Sequence, residues 1–163
     1  MKSETFVFAY GSNLDEERMS RRVPSTLPVG RSRLSRHDLR FHVRGTIDGT
    51  GKADAFRTGD PDHEVLGVVY RIASAELSTL DEIEGGYRRL RHTLTLDQDG
   101  GPGVRTLDAW AYHSLPETVQ PDLLPLDWYL GHVLRGARAH GFPVGYVDRI
   151  RQLAGGLQPR GAP

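Results

Sequence analysis

Residues 6–17 combine a short apolar segment, a glycine-containing turn and an acidic stretch, and this order constrains the local fold. Residues 6–10 read FVFAY, residues 11–14 read GSNL, and residues 15–17 are all acidic. The pattern predicts a buried strand, a tight turn and the first turn of a helix. Such a turn points backbone N–H groups into one space, where the helix N-terminus adds partial positive charge, so it can receive an anion.

The spacing of the turn indicates which anion. It matches neither the GxxxxGK[ST] phosphate loop nor the GxGxxG dinucleotide fingerprint, and the neighbouring carboxylates disfavour a polyphosphate. A small anion such as an amino-acid carboxylate is therefore the favoured ligand. The alternative is a turn that only starts a helix, with the acidic residues complementing the helix dipole.

The net charge and the cysteine content exclude several classes of function. Lys plus Arg and Asp plus Glu number 21 each, so the 163 residues carry no net field that would attract nucleic acid or an anionic membrane. The absence of cysteine excludes disulfides, thiol nucleophiles and thiolate metal sites, and it favours a cytoplasmic protein. The N-terminal apolar run is too short for a signal peptide or a membrane span.

The length favours one domain, and the pattern of elements predicts an α+β fold with a mostly antiparallel or mixed sheet. We expect a domain over residues 1–154 and a flexible tail over residues 155–163, where apolar residues are scarce. The nearly continuous apolar run at 65–70 predicts a central strand, residues 99–103 predict a hairpin turn, and Ser74 is a candidate helix N-cap. Strands are predicted within 27–44 and at 52–57, 64–72, 88–97 and 104–113, and helices at about 15–21, 74–83, 126–140 and 144–153.

The predicted helix at 74–83 leads to a carboxylate on its apolar face. At about 100° per residue, Leu77, Leu80 and Glu84 lie on one side, whereas Glu82 lies nearly opposite. Burial raises the pKa of a carboxyl, and a raised pKa suits general acid–base chemistry near neutral pH. Two other interpretations stay open: Glu84 lies beyond the helix end, or it forms a structural ion pair with a nearby arginine. The arginines within reach along the chain are Arg88, Arg89 and Arg91.

The histidines and one basic segment offer two further possibilities. The seven histidines form no HExxH motif and no i, i+4 pair, so we predict no metal site and expect solvated or strand-surface histidines. Residues 31–44 carry five arginines with His37 and Phe41 between them, a pattern that an RNA-associated protein could use. The balanced charge and the lack of an RNA-binding motif favour a solvated strand face instead, and no nucleic-acid or membrane partner is predicted.

Four segments in consistent order resemble the gamma-glutamylcyclotransferase family. Residues 8–14 match its FAYGSNL signature, and residues 80–85, LDEIEG, match its second hallmark, which is followed by Tyr87. The strand pattern at 62–70 and the C-terminal helical pattern complete the set. That last pattern comprises residues 125–129, 136–138 and 141–143. Each motif is weak alone, but their common order across almost the whole chain is specific.

The resemblance implies a fold and a set of site residues. The fold is a small mixed β-barrel flanked by helices, in which the turn and Glu84 face one cavity. Glu84 is implied as the acid–base catalyst, with Tyr87 and Tyr129 lining the pocket. The residues implied to hold the α-amino-acid end of a γ-glutamyl group are Tyr10, Gly11, Ser12, Asn13 and Leu14.

The resemblance also implies a reaction. The family cyclises the γ-glutamyl group of a γ-glutamyl amino acid or related amide to 5-oxoproline and releases the free amine. No metal or cofactor is needed, because the substrate supplies its own nucleophile. The YGSN motif at residues 10–13 resembles the branch of the family that acts on γ-glutamyl amino acids rather than on glutathione.

One departure from the family pattern bears on the substrate. Only two glycines separate Glu84 from Tyr87, fewer than in most members, which predicts a leaving-group side open to bulkier amines. The alternative to an enzyme is a catalytically silent module on the same fold, which binds a γ-glutamyl group or a small anion. The identity of the amine, the pathway and a homodimeric state stay open at this point.

Overall fold

The computed structural model describes residues 2–97 and 103–155. Within these residues the chain forms seven strands and four α-helices. The strands are β1 (Glu4–Ala9), β2 (Leu27–Ser35), β3 (His37–Arg44), β4 (Gly51–Arg57), β5 (Glu64–Ala73), β6 (Tyr87–Thr95) and β7 (Thr106–Ser114). The helices are α1 (Glu16–Arg22), α2 (Leu77–Ile83), α3 (Asp127–Ala139) and α4 (Val144–Ala154).

Strand β1 lies in the centre of a five-stranded sheet with the order β2-β5-β1-β7-β6. It pairs antiparallel with β5 and parallel with β7, where Val7 lies opposite Trp110. Strands β3 and β4 form a separate antiparallel hairpin that contacts β5 and β7. The predicted α+β class with a mixed sheet is therefore confirmed. Among the described residues, the strands pair as these two sheets and not as a ring closed by hydrogen bonds.

Strand β5 is buried along most of its length. It has a partner on each side, β2 and β1, as its nearly continuous apolar sequence predicted. Burial of this strand on both faces anchors the sheet, and β1 then delivers the following turn to one end of it. The residues of β5 that are at most 1% exposed are Val65, Val68, Val69, Tyr70 and Ile72.

The start of α2 differs from the prediction. Residues 74–76 form one turn of 3₁₀-helix, α2 begins at Leu77, and the Ser74 side chain caps neither segment. The Ser74 N–H instead donates to the Ser3 carbonyl at 2.9 Å, which joins this corner to the residue that precedes the central strand β1. Glu76 accepts hydrogen bonds from the N–H and the hydroxyl of Ser25. The prediction of Ser74 as an N-cap is therefore wrong, although the predicted end of the helix at Ile83 is confirmed.

The hairpin of β6 and β7 is confirmed by continuous antiparallel pairing from Tyr87 and Ser114 to Thr95 and Thr106. Residues 98–102, which include most of its predicted turn, lie outside the described residues, and so do residues 156–163 of the predicted tail. None of the described helices has the length and the apolar character that crossing a membrane would require.

The expectation of solvated or strand-surface histidines is wrong for two histidines, which lie where β3 packs against β7. His37 on β3 and His113 on β7 are 7% and 8% exposed. His92 on β6 lies with its Nε2 atom 2.8 Å from Nε2 of His113. Strand β3 alternates buried and half-buried residues, so His37 shares the inner face of that strand with its apolar neighbours.

Candidate active site

The turn predicted after β1 is present and short. The Leu14 N–H donates to the Gly11 carbonyl at 3.0 Å, and the Asp15 N–H donates to the Ser12 carbonyl at 3.2 Å. Asp15 then caps α1, because its side chain accepts a hydrogen bond from the Glu17 N–H at 3.2 Å. The predicted order of strand, turn and helix is thus confirmed, and the turn leaves the end of the central strand.

Helix α3 presses directly against this turn. A Cβ atom at Gly136 would lie 2.2 Å from the Leu14 carbonyl carbon, so only glycine permits this approach. The Tyr70 hydroxyl donates to the carbonyls of Asn13 at 2.9 Å and Leu14 at 3.2 Å. His132 on α3 lies 2.7 Å from the Asp15 carboxylate. These contacts from β5 and α3 hold the turn in one conformation.

Glu84 lies at the end of α2, where its N–H still donates to the Leu80 carbonyl at 2.9 Å. Its side chain is 17% exposed and accepts a hydrogen bond from Asn13 Nδ2 at 3.2 Å. Glu84 is therefore one residue past the helix, as one interpretation held, and it still contacts the turn. Its cationic neighbour is Arg22, at 3.6 Å.

Asp81, not Glu84, pairs with the downstream arginines that the second interpretation invoked. Arg89 Nε donates to Asp81 Oδ1 at 2.7 Å, and the Tyr112 hydroxyl donates to the same oxygen at 2.7 Å. The pairing of Glu84 with Arg88, Arg89 or Arg91 is consequently wrong. The physical reason is that Glu84, one residue past the end of α2, faces Arg22 on α1, whereas Asp81 within α2 faces Arg89 on β6.

Burial raises the pKa of Glu84, while Arg22, Arg18 and the hydrogen bond from Asn13 lower it. The net direction is upward, because burial outweighs these partners. A carboxyl with a raised pKa exchanges protons closer to neutral pH than an ordinary glutamate does.

Three tyrosines of the site fix the backbone around it. The Tyr87 hydroxyl donates to the Ala53 carbonyl at 2.6 Å, and the Tyr129 hydroxyl accepts from the Ala53 N–H at 2.9 Å. The Tyr10 hydroxyl donates to the Tyr112 carbonyl. Burial raises the pKa of Tyr129 to about 12 and raises the pKa values of Tyr10 and Tyr87 as well. All three hydroxyls are therefore neutral at physiological pH, and β4 is clamped between β6 and α3.

A cavity of about 220 Å³ opens between the turn, the end of α2 and the loop after β3. Leu14 is outside it, because its side chain is fully buried in the core. Seven of the eight predicted site residues line the cavity. They are Tyr10, Gly11, Ser12, Asn13, Glu84, Tyr87 and Tyr129.

The cavity also contains residues that the sequence analysis did not single out. Arg18 and Arg22 lie one helical turn apart on the same side of α1, a spacing that could have identified them. Lys52 on β4 and Trp128 on α3 also line the cavity, and the Lys52 ammonium lies 4.9 Å from the centre of the Trp128 ring. No local pattern signals these two, because β4 and α3 approach each other only in the folded chain.

The middle and C-terminal part of the chain matches a known family. Residues 64–150 match the AIG2-like family. Over most of its length the chain also resembles mammalian proteins named gamma-glutamylcyclotransferase. The protein from Bos taurus is 30% identical over 159 residues, which cover 92% of this chain and 79% of that protein. The protein from Homo sapiens is 31% identical over 159 residues, with the same coverage of both chains.

Solved structures resemble the whole architecture. An uncharacterized protein from Homo sapiens superposes with a TM-score of 0.77 and 28% identity, covering 91% of this chain and 86% of that chain. A structure named gamma-glutamyl cyclotransferase superposes with a TM-score of 0.73 and 26% identity, covering 91% of this chain and 87% of that chain.

Proposed function

This chain belongs to the gamma-glutamylcyclotransferase family, within the AIG2-like group, and on that basis we propose that it cyclises γ-glutamyl amides. The products are 5-oxoproline and a free amine. The substrate class is γ-glutamyl amino acids or related amides, in keeping with the YGSN wording of the turn.

The contact between Asn13 and Glu84 carries this proposal. These two residues belong to different motifs far apart in the sequence, yet their side chains meet at 3.2 Å inside the cavity. The turn offers hydrogen-bond donors and the carboxylate offers a base, so one small space contains both functions that the cyclisation needs. A cavity of about 220 Å³ provides room for the glutamyl head of the substrate.

The chemistry requires one group that accepts a proton and later returns it. Glu84 removes a proton from the α-ammonium of the substrate, and the freed amine attacks the γ-carbonyl carbon. A new C–N bond closes the five-membered ring, Glu84 gives its proton to the leaving nitrogen, and the original amide C–N bond breaks. The ring nitrogen loses one further proton to become the lactam N–H, and the released amine takes up that proton to become an ammonium. A group whose pKa is raised toward neutrality performs both transfers.

Positioning of the substrate is the second contribution to the rate of cyclisation. Nucleophile and electrophile belong to one substrate molecule, so holding it in a folded conformation brings them together, and effective molarities for such reactions reach about 10⁵–10⁸ M. Ser12 and Asn13 begin a short helix, where the first N–H groups have no acceptor inside the helix. We assign these groups and the surrounding tyrosines to holding the glutamyl head.

The Glu84→Gln variant tests the proposal in an assay for 5-oxoproline release. The panel contains γ-glutamyl-alanine, a γ-glutamyl alkylamine and glutathione. Loss of the acid–base group is expected to lower kcat by about 10²- to 10⁴-fold. The matched control is Glu82→Gln, because Glu82 lies on the exposed face of the same helix.

Each outcome decides between the enzyme and the silent binding module. Turnover by the wild type and by Glu82→Gln, with loss in Glu84→Gln, supports catalysis by Glu84. Ligand-induced thermal stabilisation of the wild type without turnover of any panel member would contradict the proposal and favour binding alone.

A further inference from the structure

The cavity contains a cation that forms no direct ion pair with a carboxylate of the described residues. Arg22 lies 3.6 Å from Glu84, and Lys52 lies 3.0 Å from Asp48. Arg18 lines the same cavity and is half-buried, but it forms no ion pair with any residue in the described ranges 2–97 and 103–155. A partly buried guanidinium without a counter-ion is unfavourable, so this position is suited to an anionic ligand.

Two contacts hold the Arg18 guanidinium against the cavity wall. Its Nε atom donates to Ser12 Oγ at 3.1 Å, and its central carbon lies 5.5 Å from the centre of the Trp128 ring. These contacts use Nε and one flat face, so the N–H groups of both Nη atoms are left to donate to a ligand. Burial and the neighbouring Arg22 lower the pKa of Arg18, and the charges of Glu84 and Asp15, which form no ion pair with it, offset this only in part.

Arg18 also lies where the proposed reaction needs an anion to be held. The reaction places the α-ammonium of the substrate beside Glu84, and the α-carboxylate is bonded to the same carbon atom. Asn13 contacts Glu84, and its neighbour Ser12 contacts Arg18, so the base and the guanidinium contact adjacent residues of one turn. The two Nη atoms match the two oxygens of a carboxylate in a bidentate pair.

We propose that Arg18 binds the α-carboxylate of the γ-glutamyl substrate and makes the site selective for substrates that carry it. This inference rests on the proposed function and names a residue outside the turn that determines specificity. The other cations are less suited: Arg22 and Lys52 already have carboxylate partners, and Arg44 at the mouth is exposed, so water screens its charge.

The test compares two substrates that differ only at the group in question. One is γ-glutamyl-alanine, and the other has a carboxamide in place of the glutamyl α-carboxylate. Arg18→Gln should lower kcat/KM for the first by about 10- to 100-fold, mainly through KM, and change it for the second by less than about twofold. Arg18→Lys should retain part of the activity, because it keeps the charge and loses the bidentate geometry.

The matched control is Arg21→Gln. Arg21 lies on the same helix, is 77% exposed and pairs with Glu17 on the solvent side, so its removal should leave both substrates unaffected. An equal loss for both substrates in Arg18→Gln would indicate a merely structural role and overturn the inference. A wild type that turns over the carboxylate and the carboxamide equally well would overturn it too.

A binding measurement separates this inference from the proposed function. 5-Oxoproline and 2-pyrrolidinone share one ring, and only the first carries a carboxylate, so NMR titration of both needs no turnover. Preferential binding of 5-oxoproline that disappears in Arg18→Gln supports the anion site even if no γ-glutamyl compound is cyclised, in which case only the proposed function fails. Equal binding of the two rings to the wild type, or a preference that Arg18→Gln retains, would overturn the inference.

Discussion

Asp54 and Glu84 are both shielded from water, but their pKa values are shifted in opposite directions. Asp54 on β4 is 1% exposed and accepts three hydrogen bonds, from His42 Nε2 at 2.6 Å and from the N–H and hydroxyl of Ser114 at 3.0 and 2.8 Å. Glu84 is 17% exposed and accepts one side-chain hydrogen bond, from Asn13 at 3.2 Å.

The number of donors decides the direction of each pKa. Burial raises the pKa of Asp54, but His42 and Ser114 outweigh it, and the pKa is lowered. Burial raises the pKa of Glu84, and its fewer, longer contacts do not compensate. Asp54 therefore stays charged and joins β4 to β7, whereas Glu84 can gain and lose a proton. A buried carboxylate with unused acceptor positions is the one able to take part in chemistry.

The largest effect that we expect from this contrast is on stability. Asp54→Asn removes the charge that three donors surround, so the free energy of unfolding should fall by about 3 kcal/mol. Urea denaturation followed by circular dichroism measures the change. Asp108→Asn is the control, because Asp108 is an exposed residue of β7. Equal stability of Asp54→Asn and the wild type would mean that the three hydrogen bonds contribute nothing net.

A second prediction concerns the cation beside Glu84. Arg22→Gln removes the positive charge 3.6 Å from the carboxylate, so the pKa of Glu84 should rise further. The acidic limb of the kcat/KM profile should move to higher pH, and activity at about pH 6 should fall more than activity at about pH 8. Arg21→Gln, on the solvent side of α1, should leave the profile in place. A uniform loss at all pH values would instead indicate a role for Arg22 in binding.

The smallest expected effect is a difference in how stability depends on pH. The folded-state pKa of Glu84 is raised, so its contribution to stability is present at low pH and is lost as the pH rises through that pKa. Glu84→Gln should therefore gain stability relative to the wild type between about pH 4 and about pH 8. The pKa of Asp54 is lowered, so its contribution is lost as the pH falls, and Asp54→Asn should be least harmful in acid. Thermal melts across this range measure both slopes, and parallel slopes would contradict the contrast between the two carboxylates.

Local sequence patterns were sufficient to predict most helices and strands, and they also predicted the turn after β1 and the inward-facing Glu84. The apolar run before Gly11 predicted β1 and its turn, and the stripe through Leu80 predicted that Glu84 faces inward. Both signals arise within a few residues of chain, where propensity and periodicity act. The start of α2 at Leu77 was missed, because a contact between Ser74 and Ser3 decides it and the two residues are remote in sequence.

The electrostatic partners of the site could not be predicted in the same way. Proximity along the chain suggested the arginines of β6 for Glu84, yet the partner is Arg22, which α1 brings across the end of the sheet. Trp128 and Lys52 meet only because α3 packs on the turn through Gly136. Such pairs depend on how whole elements pack, and no local spacing encodes them.

The central place of β1 has a consequence for how the protein is made. Strand β1 is synthesised before both of its partners, because β5 and β7 follow it in the sequence. The turn after β1 also needs Glu84 and the α3 residue Tyr129, which come from the second half of the chain. The N-terminal half therefore carries the proposed anion-binding turn without the proposed base, Glu84, or the wall that Tyr129 contributes. Activity should appear only after α3 has emerged from the ribosome, and folding should be slow because the central strand pairs with segments that are remote in sequence.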